Sequence, residues 1–307
     1  MQNENYKEKR YKRLTEDLKE WNSEERDKLL DFLLGVEEDA SAKRKEEIEI
    51  HLLEKYTDEA KEITKNWGKV TGIGSGYNAV DALTKGFDPG NLIVMAGRTS
   101  QYKTMLSINM ARNIAKAGTP VMFVSLENTK AEIAARLMKI CFDDEEYHDV
   151  ASRIAVQAKD ELDWRSIDAL VESFVELFNG EGIVFIDHLH YFTRDTQNTA
   201  EALGAVTKEL KKNAIRHKVP IVLISHVRKA MSEREKNKLP SSEDLRGSSL
   251  IAQDADIVLI VGNGLAVNRG KEIVVVEIEK NRNKGFDPEA NRAYLIKDPN
   301  GVRIFDN

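Results

Sequence analysis

Cysteine, proline and aromatic residues are scarce in this chain: one Cys, six Pro and 7% Phe, Trp and Tyr among 307 residues. A lone cysteine, Cys141, excludes an internal disulfide and reads as a small core residue in a reducing, cytoplasmic compartment. Long hydrophobic runs are missing too. Stretches such as Leu92 to Ala96 and Ile221 to Ile224 fall far short of the roughly 18 residues a membrane helix needs, so no membrane span is expected. The opening Met1 to Arg13 alternates acidic and basic side chains without an apolar stretch, against a secretory signal. Nor is there an excess of positive charge. Forty-six Lys and Arg stand against 52 Asp and Glu, a formal net charge of −6, so any site for a polyanion must be local.

Charge is distributed unevenly. Residues 1–70 hold 15 basic and 19 acidic side chains, and apolar residues recur there at helical spacing: Tyr11, Leu14, Leu18 and Trp21, then Leu29, Leu30, Leu33 and Leu34, then Ile48, Leu52 and Tyr56. Ser23 and Ser41 are candidate N-caps between these stripes, and two or three short amphipathic helices are expected as an N-terminal extension. From residue 71 to 307 short β-rich runs alternate with helical segments. Strands are expected at Leu92 to Ala96, Val121 to Leu126, Ile183 to Asp187, Pro220 to Ser225, Asp256 to Val261 and Ile273 to Glu279, with helices near 104–117, 129–141, 164–178 and 199–217. Apolar strands joined by helical crossovers predict an α/β fold with a mostly parallel sheet covered by helices. Asp298-Pro299-Asn300-Gly301 marks a hairpin between Ala293 to Lys297 and Val302 to Phe305.

The chemistry gathers at strand ends. After the first strand comes Gly97-Arg98-Thr99-Ser100-Gln101-Tyr102-Lys103-Thr104, then a helix. This is the placement of a phosphate-binding loop, in which backbone N–H groups and a helix N-terminus surround phosphate oxygens, lysine neutralises charge and a hydroxyl holds Mg²⁺. Tyr102 stands where the pattern has glycine, and its side chain restricts the backbone and threatens to crowd the phosphates. Asp187 closes an apolar strand as a carboxylate able to reach the Mg²⁺ shell, and Glu127 closes another as a candidate for orienting and deprotonating water. His226 follows a third strand, either as a structural hydrogen-bonding group or as a γ-phosphate contact. Arg228, Lys229, Arg234, Lys236 and Lys238 make a basic loop, and Arg246-Gly247 lies in a small-residue turn; both read as solvated surface or as contacts to a nucleic-acid backbone. Lys280 and Arg282 leave one strand end together, either as plain surface charge or as cations meeting the γ-phosphate of a nucleotide held by an adjacent subunit.

Taken in order, Gly90 to Arg98, Ser125-Leu126-Glu127, Asp187, Asp244-Leu245-Arg246-Gly247-Ser248, Gln253 to Asp256 and Lys280-Asn281-Arg282 resemble the ATPase domain of DnaB-type replicative helicases, as do Thr71 to Tyr77 and Leu83 to Pro89 upstream. The resemblance covers about residues 71–307. It implies a RecA-like P-loop core, hexameric rings, ATP and Mg²⁺ as cofactors, hydrolysis at subunit interfaces and translocation on single-stranded DNA, with a primase or helicase loader as a further partner. By position it assigns Lys103 and Thr104 to triphosphate and Mg²⁺, Glu127 to water activation and Asp187 to the metal. Lys280 and Arg282 become fingers supplied in trans, and Arg246 and Gly247 part of a DNA-contacting loop. His226, where bacterial helicases carry glutamine, and Asp187-His188 resemble the phage primase-helicase branch. Residues before 71 resemble at most the linker-helix portion of the N-terminal region, with no zinc-ribbon or primase segment, so primer synthesis is not expected. The alternatives are a RecA-fold regulator or accessory replication protein that binds nucleotide and hydrolyses little, with Tyr102 as its signature, and a recombinase-like filament protein.

Overall fold

A computed structural model of the chain describes residues 53, 57–66, 69–158, 164–189, 199–227, 239–241, 244, 249–264, 272–282, 287, 289–299 and 301–307. Two compact units divide at Lys65/Asn66. Within the first, the helix α1 (Thr57–Lys65) is described, with Lys61 paired to Asp58 on its surface. The three apolar stripes expected between Tyr11 and Tyr56 lie outside the described residues.

In the second unit the sequence alternates strand and helix. In chain order come α2 (Asn78–Thr84), β1 (Leu92–Gly97), α3 (Lys103–Lys116), β2 (Val121–Ser125), α4 (Lys130–Ile140), α5 (Asp144–Ala151) and β3 (Ile154–Ala158). Then follow α6 (Ile167–Leu177), β4 (Ile183–Asp187), α7 (Thr199–His217), β5 (Ile221–His226), α8 (Ser249–Asp254), β6 (Ile257–Asn263), β7 (Glu272–Asn281), β8 (Arg292–Lys297) and β9 (Ile304–Asp306). The strands form one sheet in the order β3-β2-β4-β5-β1-β6-β7-β8-β9. The six from β3 to β6 are parallel, and β7, β8 and β9 extend the sheet antiparallel.

The parallel strands are apolar on both faces because both faces are covered. Ile93 and Met95 of β1 enter one core with Leu106, Met110 and Ile114 of α3, whereas Leu92, Val94 and Ala96 enter the other with Leu203, Val206 and Leu210 of α7. Phe123 of β2 and Phe185 of β4 are register partners, their rings stacked 5.9 Å apart inside the first core. Cys141 is buried in that core at 4% exposure, the place its size and polarity suit. Helix starts carry their own signals. Thr129 caps α4 in a reciprocal box with Glu132, and Asp143 caps α5 by accepting from Glu146 N–H. Among the described residues no helix is long and apolar enough to cross a membrane.

Several elements differ from the sequence expectation. Ile154–Ala158 is a strand, β3, at the sheet edge, and α2, α5 and α8 are short helices that the sequence had left unassigned. Residues 164–166 form a single 3₁₀ turn rather than the start of α6, and β7 continues two residues beyond Glu279, bringing Lys280 inside the strand. The hairpin at Asp298 is present as β8–β9, closed by Gly301 N–H donating to the Asp298 carbonyl at 3.3 Å, although its second strand begins only at Ile304.

Candidate active site

Four strands adjacent in the sheet, β2, β4, β5 and β1, end on the same side: Ser125 pairs with Asp187 and Gly97 with His226, the second pair two residues further along than the first. Strand spacing of about 4.8 Å therefore sets the groups following them side by side along one edge.

The loop from Gly97 to Lys103 turns β1 into α3. Gly97 has no room for a side chain, since a Cβ there would lie 2.4 Å from the Val261 carbonyl oxygen. Ser100 and Tyr102 both have left-handed backbones (φ 64° and 58°), a conformation that recurs in the turns of anion-binding concavities. Holding a non-glycine residue in this region costs about 1–2 kcal/mol. Gln101 stiffens the loop: its side-chain oxygen accepts from Arg98 N–H at 3.1 Å, and its own N–H donates to the Arg98 carbonyl at 3.2 Å. Thr99 completes the loop between them.

Lys103, the first residue of α3, is 5% exposed and donates to the Arg98 carbonyl at 2.8 Å. Burial lowers its pKa from 10.5 to about 8, against the opposing pull of Asp187 and Glu127. The next residue, Thr104, donates its hydroxyl to Asp187 at 2.8 Å. Asp187 is 1% exposed, and burial raises its carboxyl to about 6 although the Thr104 hydroxyl favours the ionised form. Glu127 follows β2 and is exposed. Its carboxylate lies 3.7 Å from Nδ1 of His188, and ligand atoms of Glu127, Asp187 and His188 all fall within 4.8 Å of one another. The His188 ring meets the His226 ring edge-on, centroids 4.3 Å apart at 83°. Lys103, Thr104, Glu127, Asp187 and His226 are thus brought into one cluster, and His188 joins it.

The sequence reading gave His188 no role of its own. Its signal was position alone, directly after Asp187. Arg136 of α4 was also missed: its guanidinium donates to the Asn128 side chain at 3.0 Å and adds positive charge near Asp187. Only the folded placement of α4 against β2 reveals it.

Lys280 and Arg282 sit elsewhere. Lys280 pairs with Val258 near the start of β6, level with Val94 of β1, so measured along the strands Lys280 lies roughly 10 Å and Arg282 roughly 17 Å from Gly97, toward the other end of the strands. Both turn onto the C-terminal end of α8: Lys280 donates to the carbonyls of Ala252 (2.6 Å) and Gln253 (3.0 Å), and Arg282 to that of Gln253 (2.6 Å). A helix C-terminus with unsatisfied carbonyls is a natural seat for cations. They do not reach this chain's own cluster. Arg228, Lys229, Arg234, Lys236, Lys238, Arg246 and Gly247 lie outside the described residues.

The Tyr102 ring packs against the first core and its hydroxyl donates to Glu272 at 2.7 Å, which joins the side chain to the start of β7.

This geometry agrees with what the chain is similar to. The family model for the DnaB-like helicase C-terminal domain matches residues 72–149 and 144–288, and the chain belongs to that family. A probable replicative DNA helicase of Trieres chinensis is 30% identical over 227 residues, covering 66% of this chain and 50% of that protein. The replicative DNA helicase DnaB of Pasteurella multocida is 26% identical over 268 residues, 76% of this chain and 56% of that one. The chain therefore spans about half the length of the curated relatives it matches. Among solved structures, one of an ATPase domain superposes with a TM-score of 0.71 at 22% identity, covering 84% of this chain and all of that one. A DnaB-like replicative helicase described with its primase interactions gives 0.69 at 22%, covering 85% of this chain and 68% of that one. These likenesses establish the RecA-like α/β fold.

Proposed function

We propose that this chain is the motor domain of an ATP-dependent replicative DNA helicase, a nucleoside-triphosphatase that assembles as a homohexameric ring and translocates on single-stranded DNA. The observation that carries the reading is the Thr104–Asp187 hydrogen bond beneath a strand-to-helix loop, with Glu127 facing the same point. The oxygen-rich donor set of Thr104, Asp187 and Glu127 suits Mg²⁺, a hard cation that favours hydroxyl, carboxylate and water ligands. Bound there with ATP, the ion would draw charge from the phosphate oxygens. Gly97 to Thr104 would wrap the phosphates through backbone N–H groups, and the Lys103 ammonium would exchange the Arg98 carbonyl for a phosphate oxygen. Glu127 would accept the proton of an attacking water. His226, with His188 against it, would sense the terminal phosphate. Lys280 and Arg282, held rigidly at an edge remote from their own loop, are suited to complete a neighbour's site.

The basic residues between Arg228 and Lys238, with Arg246 and Gly247, are proposed to line the DNA path. A ring pointing six such segments inward would concentrate positive potential despite the acidic total. Partners of the family's kind, a primase or a loader, belong to the same proposal.

The test is ATP turnover with and without single-stranded DNA, on material whose oligomeric state is measured in the same sample, with Lys103→Ala as control. DNA-stimulated turnover abolished by that change is expected. Nucleotide binding without turnover at any DNA concentration would instead identify a regulator.

A further inference from the structure

Tyr102 occupies a left-handed backbone position in the loop, where glycine carries no such strain, and its side chain is engaged rather than idle. The phenol donates to the Glu272 carboxylate at 2.7 Å, and the same carboxylate oxygen accepts from the Lys297 ammonium at 2.6 Å. That ammonium stands 5.5 Å from the centroid of the Tyr102 ring. Glu272 opens β7 and Lys297 closes β8, and the two are register partners across the antiparallel pair. The loop is therefore connected to the sheet extension by a closed triangle of hydrogen bond, ion pair and cation–ring contact.

Each corner depends on the other two. Burial and the neighbouring Glu272 push the Tyr102 phenol up to about 12, so it remains a proton donor throughout the neutral range. Lys297 is buried, its ammonium against Glu272 holding that carboxylate ionised below its ordinary range, with the Tyr102 hydroxyl adding to the effect. A charged acceptor strengthens the phenol's bond, which resists any relaxation of Tyr102 out of its left-handed conformation. Tyr102 is the residue directly before Lys103, so a restraint on it also sets where α3 begins.

We propose that Tyr102, Glu272 and Lys297 form a tether that fixes the phosphate loop in its binding conformation, with Tyr102 as a positioning residue that replaces glycine's freedom by a side-chain anchor. The inference that nucleotide affinity depends on this tether rests on the function proposed above. The restraint on the loop does not.

The experiment compares the full chain with Tyr102→Phe, Glu272→Ala and their double variant by two readouts. Amide hydrogen exchange of residues 98–104, measured without nucleotide, reports the tether alone. Equilibrium binding of Mg-ATP reports its consequence. Loss of the phenol bond is expected to speed exchange in the loop by roughly three- to tenfold and to weaken Mg-ATP by a similar factor. The double variant should equal Glu272→Ala rather than multiply the two single effects, because without the carboxylate the phenol has no bond left to lose. Loop exchange unchanged in Tyr102→Phe, in a protein with unaltered thermal stability, overturns the tether whatever the binding data show. Faster exchange in all three variants, with no Mg-ATP binding even by the parent chain, keeps the tether and rejects the nucleotide site. A KM raised with kcat unchanged in Tyr102→Phe is the kinetic form of the expected result, since preorganisation of the loop acts on binding.

Discussion

The Thr104 hydroxyl and the Asp187 carboxylate meet at 2.8 Å, one at the start of α3 and the other at the last position of β4. Neither residue is near the other in sequence, and the contact exists because the loop after β1 folds back over the neighbouring strand ends. It leaves a carboxylate under protein, where its ionised form is disfavoured.

That burial has a measurable cost. Asp187 titrates at about 6 rather than 3.8, so the folded chain holds this proton more tightly than the unfolded chain does. Its contribution to stability is therefore most favourable below about pH 4 and is lost as pH rises through about 6, at most ~3 kcal/mol in all. Asp187→Asn keeps an acceptor for Thr104 without the charge. The nucleotide-free variant is expected to melt several degrees higher than the parent at pH 7.5 and higher by only about a third as much at pH 4.5, by differential scanning calorimetry at both values. A variant that melts lower at pH 7.5 would contradict the sign.

Lys103 supplies a second pH dependence with a different readout. Burial holds its pKa near 8, below the 10.5 of a free lysine, and an anionic triphosphate favours the protonated form. Binding then takes up a proton when pH exceeds 8. Mg-ATP affinity should fall as pH rises from 7.5 to 9.5, approaching tenfold per pH unit at the upper end, and the slope should vanish in Lys103→Ala. Fluorescent-nucleotide titrations across that range decide it; an equal slope in parent and variant would remove Lys103 from the phosphate contact.

The parallel core of the fold was legible because Leu92 to Ala96, Ile183 to Ile186 and Ile221 to Ile224 are apolar at every position, as strands of a sheet covered on both sides are. The edge strand β3 was not. Its residues Ile154 to Ala158 are all half-buried and include Gln157, so they lack the continuous apolar signal and are defined by pairing with β2. The site divides the same way. Lys103, Thr104, Glu127, Asp187 and His226 stand at or just after strand ends, where position carries meaning. Glu272, Lys297 and Arg136 are ordinary charges in sequence, and only the fold places them beside the loop or its carboxylate.

The stacked Phe123–Phe185 pair ties together the two strands that precede Glu127 and present Asp187. Both rings are buried, Phe123 at 1% and Phe185 at 0% exposure. Phe123→Ala is expected to cost about 3–5 kcal/mol through lost burial and the remaining cavity. Urea denaturation would show this as a lowered midpoint with an unchanged slope. Phe123→Leu should recover more than half of the loss, whereas equal damage from both would mean that ring geometry outweighs volume.

Lys280 and Arg282 lie roughly 10 Å and 17 Å along the strands from Gly97 of their own loop and are anchored on the carbonyls of Ala252 and Gln253. A cation so placed serves catalysis only if another subunit brings its loop to that edge. Arg282→Ala should lower turnover by about 10³-fold or more, with Mg-ATP affinity changed little. Lys103→Ala is expected to be inactive for the opposite reason, a damaged loop with intact cations. Mixed and reassembled, the two variants create interfaces in which an intact loop from the Arg282→Ala subunit faces intact cations from the Lys103→Ala subunit. Turnover should then rise in the mixture to a sizeable fraction of the parent rate, far above that of either component alone. If mixing under conditions of proven subunit exchange restores nothing, Lys280 and Arg282 do not act across an interface, and their role is to close the C-terminal end of α8.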